Sequence, residues 1–147
     1  MIAVDTNFLV AAHRRDAAGH EAAASRMREL AEGLAAWAIP APCLHEFLAV
    51  VTHPRIFDPP SRMQDALAQV EAWMASPSLV VLGESDRHWQ TLPTLLRQSK
   101  VNGPQVHDAR VAAICIDHGV SPLLSADRDF GKFRGLRVED PLRARRA

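Results

Sequence analysis

Ile2-Ala3-Val4-Asp5-Thr6-Asn7-Phe8-Leu9 opens the chain, and its first half differs from its second. Ile2 to Val4 is a short apolar strand that ends directly on a carboxylate. Phe8, Leu9 and Ala12 then share one face of a short helix over 7–14. A strand feeding a helix is the unit, and it recurs. Gly19 breaks the first helix, and His20 to Leu34 carries Ala23, Met27, Leu30, Ala31 and Leu34 at helical spacing, with Gly33 near its end. Ala36 to Ile39 is a second strand, closed by Pro40. Pro42 to Thr52 is a helix with proline in its first turn, stopped by Pro54. After a loop over 55–60, Ser61-Arg62-Met63-Gln64 has the form of a capping box. The helix it opens runs to Ala75, with Leu67, Val70, Trp73 and Met74 as its apolar stripe. Ser78 to Leu82 is a third strand. Asp86 is placed to cap a helix reaching Ser99, with Pro93 near its start or kinking it. Gln105 to His118 is the most apolar helix and ends at Gly119. Pro122 to Leu124 and Leu136 to Val138 are the last strands, the second at an edge.

Strands alternating with helices predict an α/β fold: a short central parallel sheet with helices on both faces, three layers in all. In such sheets ligands bind outside the carboxyl ends of the strands, where the strand order switches.

The 147 residues are enough for one domain that folds without disulfides or a structural metal. We read residues 1–141 as that domain and 142–147, with Arg143, Arg145 and Arg146, as a basic tail. Apolar residues make up 48% and charged ones 23%, which excludes disordered, collagen-like and coiled-coil chains. No apolar run approaches the about 18 residues of a membrane span. The start lacks the basic region of a signal peptide, so the cytoplasm is the expected compartment. Cys43 and Cys115 sit among apolar residues and read as free, buried thiols. The net charge is zero, which argues against a broad polyanion-binding surface but leaves room for local basic groups that clustered acids cancel. The 17 basic residues include only two lysines, Lys100 and Lys132, against 15 arginines, a bias that either a GC-rich genome or phosphate recognition explains.

Four carboxylates stand out. Asp5 follows the first strand and Asp127, with Asp129 nearby, follows the strand ending at Leu124; each could equally cap the helical turn after it. Glu46 lies within Cys43-Leu44-His45-Glu46-Phe47-Leu48-Ala49-Val50-Val51, a helix apolar nearly all round, so it is expected to be buried and in need of a partner. Asp108 lies in the first turn of an equally apolar helix, where the helix dipole favours it. All four can converge above one sheet edge. Carboxylates gathered in one pocket repel, and a hard divalent cation with all-oxygen ligands, Mg²⁺ or Mn²⁺, removes the conflict.

With these pieces in order, the chain resembles the PIN-domain nucleases, and among them the VapC-type toxins of prokaryotic toxin–antitoxin modules. Ile2-Ala3-Val4-Asp5-Thr6-Asn7 is similar to the family's first motif. Glu46 falls where the family has its second acid, and Val106-His107-Asp108-Ala109 is similar to the third motif. Ser125-Ala126-Asp127-Arg128-Asp129-Phe130 and the following Phe133-Arg134-Gly135-Leu136 match the last. The resemblance implies a PIN-like fold and metal-dependent endoribonuclease activity. It implies that Asp5, Asp108 and Asp127 hold Mg²⁺ or Mn²⁺, with Glu46 as a ligand, a group behind the ligands, or a base. Asn7 would orient a carboxylate or bind phosphate, and Ser125 would hydrogen-bond the acids; Asp129 fits a site role and a capping role equally. Implied partners are an RNA substrate, a small VapB-type antitoxin that blocks the pocket, and a second copy in a homodimer. The helix from Asn7 and that from Pro42 would form the groove for the antitoxin, whose arginine would enter among the acids.

Three other readings compete. An aspartate-nucleophile phosphatase wants a second Asp two residues after the first, where Asn7 stands. A non-catalytic PIN-fold module that only binds RNA or protein is the alternative within the same fold, and four intact acids weigh against it. Cys43-x-His45 and Cys115-x-x-His118 have zinc-like spacing but lie on helices that turn the pairs apart. His45 and His107 each precede a site acid, and adjacent helical residues diverge by about 100°. Trp73 and Trp89 read as packing residues of the core or an interface.

Overall fold

The computed structural model describes residues 1–142; Arg143, Arg145 and Arg146 of the predicted tail lie outside the described residues. The chain runs β1 (Ile2–Val4), α1 (Thr6–His13), α2 (His20–Glu32), β2 (Trp37–Pro40), α3 (Ala41–Val51), α4 (Met63–Met74), β3 (Leu79–Leu82), α5 (His88–Ser99), α6 (Gln105–Asp117), β4 (Leu123–Leu124), a 3₁₀ turn over Arg128–Lys132 and β5 (Val138–Glu139). The five strands form one all-parallel sheet in the order β3-β2-β1-β4-β5. The predicted parallel α/β sheet is therefore present. From β1 the chain builds outward through β2 to β3, then returns to the other side of β1 for β4 and β5. The switch in order falls between β1 and β4, and opposite directions of travel put the crossover helices on opposite faces. Consistent with this, α1 packs on α2 and α3, and α3 on α4, whereas α5 and α6 pack on each other.

The strands in the middle are buried. Val4, Ala38, Ile39 and Leu123 are fully shielded from solvent, and Trp37, Phe8, Phe47 and Phe130 are the bulkiest fully buried side chains of the core. β3 is an edge, and Val80 and Val81 there are partly exposed. Both cysteines are free and buried, as read from the sequence.

Several local expectations fail for identifiable reasons. α4 starts at Met63 after Arg62, with no side-chain cap. The Ser61 hydroxyl is instead taken by His13 Nε2 at 3.0 Å and Arg14 Nη1 at 3.3 Å, so tertiary contacts displace the capping box. Asp86 does not cap α5; the Ser85 hydroxyl accepts from the Arg87 amide, and the helix begins at His88. Pro93 is accommodated inside α5. On α4 only Ala66 and Trp73 are buried, while Leu67 and Met74 are largely exposed, so the core takes a narrower stripe than the apolar pattern implied. Trp89 is 74% exposed, which removes it from the core. Leu142 packs against Gly19, whose φ is 76°; a Cβ at that position would lie only 3.2 Å from Leu142 Cδ2. No helix among the described residues is long and apolar enough to cross a membrane.

Candidate active site

The site forms at the carboxyl ends of β1 and β4, the strands on either side of the switch. Asp5 occupies the cap position of α1 but makes no side-chain cap bond. Its carboxylate turns inward, only 6% exposed, and accepts from Ser125 Oγ at 2.8 Å and Cys43 Sγ at 3.5 Å. The capping explanation of Asp5 is thereby replaced by a tertiary one. Ser125 has every hydrogen-bonding position filled. It donates to Asp5 and accepts from Asn7 Nδ2 at 3.3 Å and from the Asp127 amide at 3.0 Å. Asn7 Oδ1 in turn accepts from the Ala126 amide at 3.2 Å. Asn7 and Ser125 thus stitch the turn after β1 to the turn after β4 and fix the Asp5 rotamer from behind. Burial pushes the Asp5 carboxyl up to about 6, against the lowering effects of the Thr6 amide, Ser125 and Cys43, with a small further rise from the Glu46 charge.

The other acids are more exposed than Asp5. Glu46 is exposed, which corrects the expectation that α3 would bury it; His45, Glu46 and Ala49 form the solvent side of a helix whose Cys43, Phe47 and Val51 face the core. Its Oε2 accepts from the Thr6 hydroxyl at 3.1 Å. Asp108 is half-buried in the first turn of α6. Its carboxyl lies above the usual range, first through partial burial, then through the charges of Asp127, Glu46 and Asp129, with Lys132 opposing. Burial first and the crowding of acids second therefore leave Asp108 readier to hold a proton than an isolated carboxylate. Asp127 does cap: one oxygen accepts from the Asp129 amide at 2.9 Å and starts the 3₁₀ turn. That bond also sets Asp129 beside it, and Asp108, Asp127 and Asp129 bring carboxylate oxygens within 4.8 Å of one another.

A cavity of about 430 Å³ receives Asp5, Glu46, Asp108 and Asp127. The residues fit a hard divalent cation. All the donors are oxygens, and opposite ligands of one Mg²⁺ lie about 4.2 Å apart, close to the spacing of the Asp108, Asp127 and Asp129 group. Asp129 joins this group more closely than its two readings from sequence distinguished, and Asp5 lies deeper, lining the same cavity.

Two contributors escaped the sequence reading. Thr6 holds Glu46, and Cys43 touches Asp5. The signal for Cys43 was its spacing of three from Glu46 on one helix; Thr6 offered none beyond following Asp5. His45 and His107 are exposed and line the groove beside the cavity.

The PIN domain family model matches residues 2–136. Ribonuclease VapC43 of Mycobacterium tuberculosis is 37% identical over 142 residues, 97% of this chain and 96% of that one. Ribonuclease VapC48 of the same species is 30% identical over 137 residues, 93% of this chain and 94% of its own. Among solved structures, VapBC2 of Rickettsia felis, bound to a DNA fragment from its promoter, superposes with a TM-score of 0.69 at 18% identity, over 95% of this chain and 98% of that one. VapC20 of M. tuberculosis, a toxin that cleaves the sarcin–ricin loop, gives 0.66 at 22% identity, over 93% and 99%. Matched along nearly its whole length, and with its acids gathered at the switch point of the sheet, the chain belongs to the PIN domain family, among the VapC ribonucleases.

Proposed function

We propose that the protein is a Mg²⁺- or Mn²⁺-dependent endoribonuclease, the toxin of a VapBC-type toxin–antitoxin module acting in the cytoplasm. The observation that carries this reading is the convergence of Asp5, Glu46, Asp108 and Asp127 on one cavity at the switch between β1 and β4. Asp5, Asp108 and Asp127 hold the cation, and Asp129 adds charge at its open side. When bound, the cation neutralises charge on the scissile phosphate and lowers the pKa of a water. Asp5 cannot swing away, because Ser125 and Asn7 hold it. Glu46, held by Thr6 and open to solvent, is placed to accept the proton released as water oxygen attacks phosphorus and the P–O bond to the leaving ribose breaks.

The cavity continues between α1 and α3 past Val10, Ala11, Val50, Ile56 and Phe57, an apolar path ending in carboxylates. It suits a VapB-type antitoxin segment with apolar anchors and one arginine. Cleavage of a defined RNA pool with Mg²⁺ and with EDTA tests the nuclease reading: fragments should form with the metal alone. Equal cleavage in EDTA would sink the metal-dependent mechanism, and a metal-binding protein that cuts no RNA would favour the non-catalytic module.

A further inference from the structure

A second groove, of about 800 Å³, leaves the same acids in another direction, between α3 and the start of α6. It shares Glu46 and Asp108 with the cavity and adds His45, His107, Arg110 and Gln105. Pro42, Ala49, Pro104 and Val111 make up the rest of its wall, so it pairs apolar surface with hydrogen-bonding rings and a cation, whereas the α1–α3 path offers Val10, Val50, Ile56 and Phe57. His45, His107 and Arg110 are all exposed. The His45 Nδ1 lies 2.9 Å from the Ala41 carbonyl, which can only accept, so Nδ1 carries the hydrogen and Nε2 is left for another group. Arg110 is anchored through Nε to Glu84 Oε1 at 2.7 Å, which orients its guanidinium and leaves the Nη edge for an acceptor.

A chain of zero net charge has no general attraction for a polyanion, and the acids of the site repel one. One divalent cation answers only the phosphate being cut. The neighbouring phosphates need donors close by, and unpaired bases need flat surfaces. We propose that the α3–α6 groove holds the single-stranded stretch of RNA adjoining the scissile phosphate, with Arg110 on a phosphate and the His45 and His107 rings against bases. This rests on the nuclease reading for its substrate, but its own evidence is the groove. It makes Arg110, His45 and His107 binding residues outside the metal-holding set.

Binding of a fluorescent single-stranded RNA pool, read by anisotropy in EDTA so that nothing is cut, tests it apart from catalysis. Arg110→Gln should weaken binding about fivefold and reduce the slope of log affinity against log salt by about 0.7, while Arg110→Lys keeps most of the slope. His45→Ala with His107→Ala should weaken single-stranded RNA more than duplex RNA. Each variant should melt like the parent and keep its sedimentation mass and its Mn²⁺-induced melting shift. Unchanged affinity and salt slope would overturn the proposal. So would a fall from dimer to monomer accompanying the loss, which would assign the groove to a second copy of the chain. If the parent binds RNA through these residues but cleaves none with Mg²⁺, the groove stands and the nuclease reading fails.

Discussion

The two halves of the acidic site are built on different principles. The Asp5 half is buried and fully bonded: one carboxylate, a serine with every position filled, and an asparagine tying two strand ends together. The half made by Glu46, Asp108, Asp127 and Asp129 is open, crowded with like charge, and held by few bonds. The first half has its geometry before any ligand arrives. The second has unfavourable electrostatics until a cation does. A site of this kind is positioned by the fold on one side and suited to a cation on the other.

The comparison can be broken most severely at the ligands. Asp5→Asn and Asp108→Asn should each cut RNA cleavage at least about a hundredfold, one from each half. If Asp108→Asn cleaves at the parental rate, the open half is not the metal site. Next comes the support behind Asp5. Ser125→Ala leaves the Asp127 amide and Asn7 Nδ2 without their acceptor and frees the Asp5 rotamer, so kcat should fall about 10- to 100-fold. A parental rate would mean that burial alone fixes Asp5.

Stability should follow pH through both halves, most strongly through Asp5. Asp5 titrates near 6 in the fold and near 3.9 in an unfolded chain. Its raised value means the fold favours the protonated acid. That contribution is fully present below about pH 4 and is lost as pH rises through about 6, a difference of roughly 3 kcal/mol, with Asp108 acting in the same direction. Metal-free protein should therefore melt at a lower temperature at pH 7 than at pH 5, the gap should shrink in Asp5→Asn, and Mn²⁺ should restore the loss at pH 7. Identical chemical-denaturation curves across that range would contradict the burial of Asp5. The smallest effect belongs to Asp129, exposed and at the margin of the group. Asp129→Asn should weaken Mn²⁺ by less than about tenfold, and a loss as large as that of Asp108→Asn would promote it to a principal ligand.

The same contrast explains what could be read from the sequence. Asp5, Asp108 and Asp127 were legible because each sits at a fixed place in a repeating strand–helix unit: a strand end, a first helical turn, a strand end. The sheet followed from the same repetition. Glu46 stood out by its position, but an apolar run predicted its burial, whereas Ala49 and His45 face water with it on the outer side of α3. The Ser61 capping box obeyed a local rule that His13 and Arg14 overrode from elsewhere in the chain, and the Asp86 cap lost to its own neighbour Ser85. The Ser125–Asn7 link joins residues 118 apart, and no local pattern encodes such a bond; the family's motifs pointed to each residue but not to the bond between them. The cation-bearing groove at Arg110 was illegible for the same reason, since its members come from two helices on opposite sides of the sheet.

Calorimetric titration of Mn²⁺ into the metal-free protein at pH 7, for the parent and for Asp108→Asn, measures the affinity of the acidic site itself. A saturable binding event in the parent, weakened at least about tenfold in the variant, is the predicted result. No saturable binding by the parent, or equal affinity in both, would contradict a metal-completed acidic site.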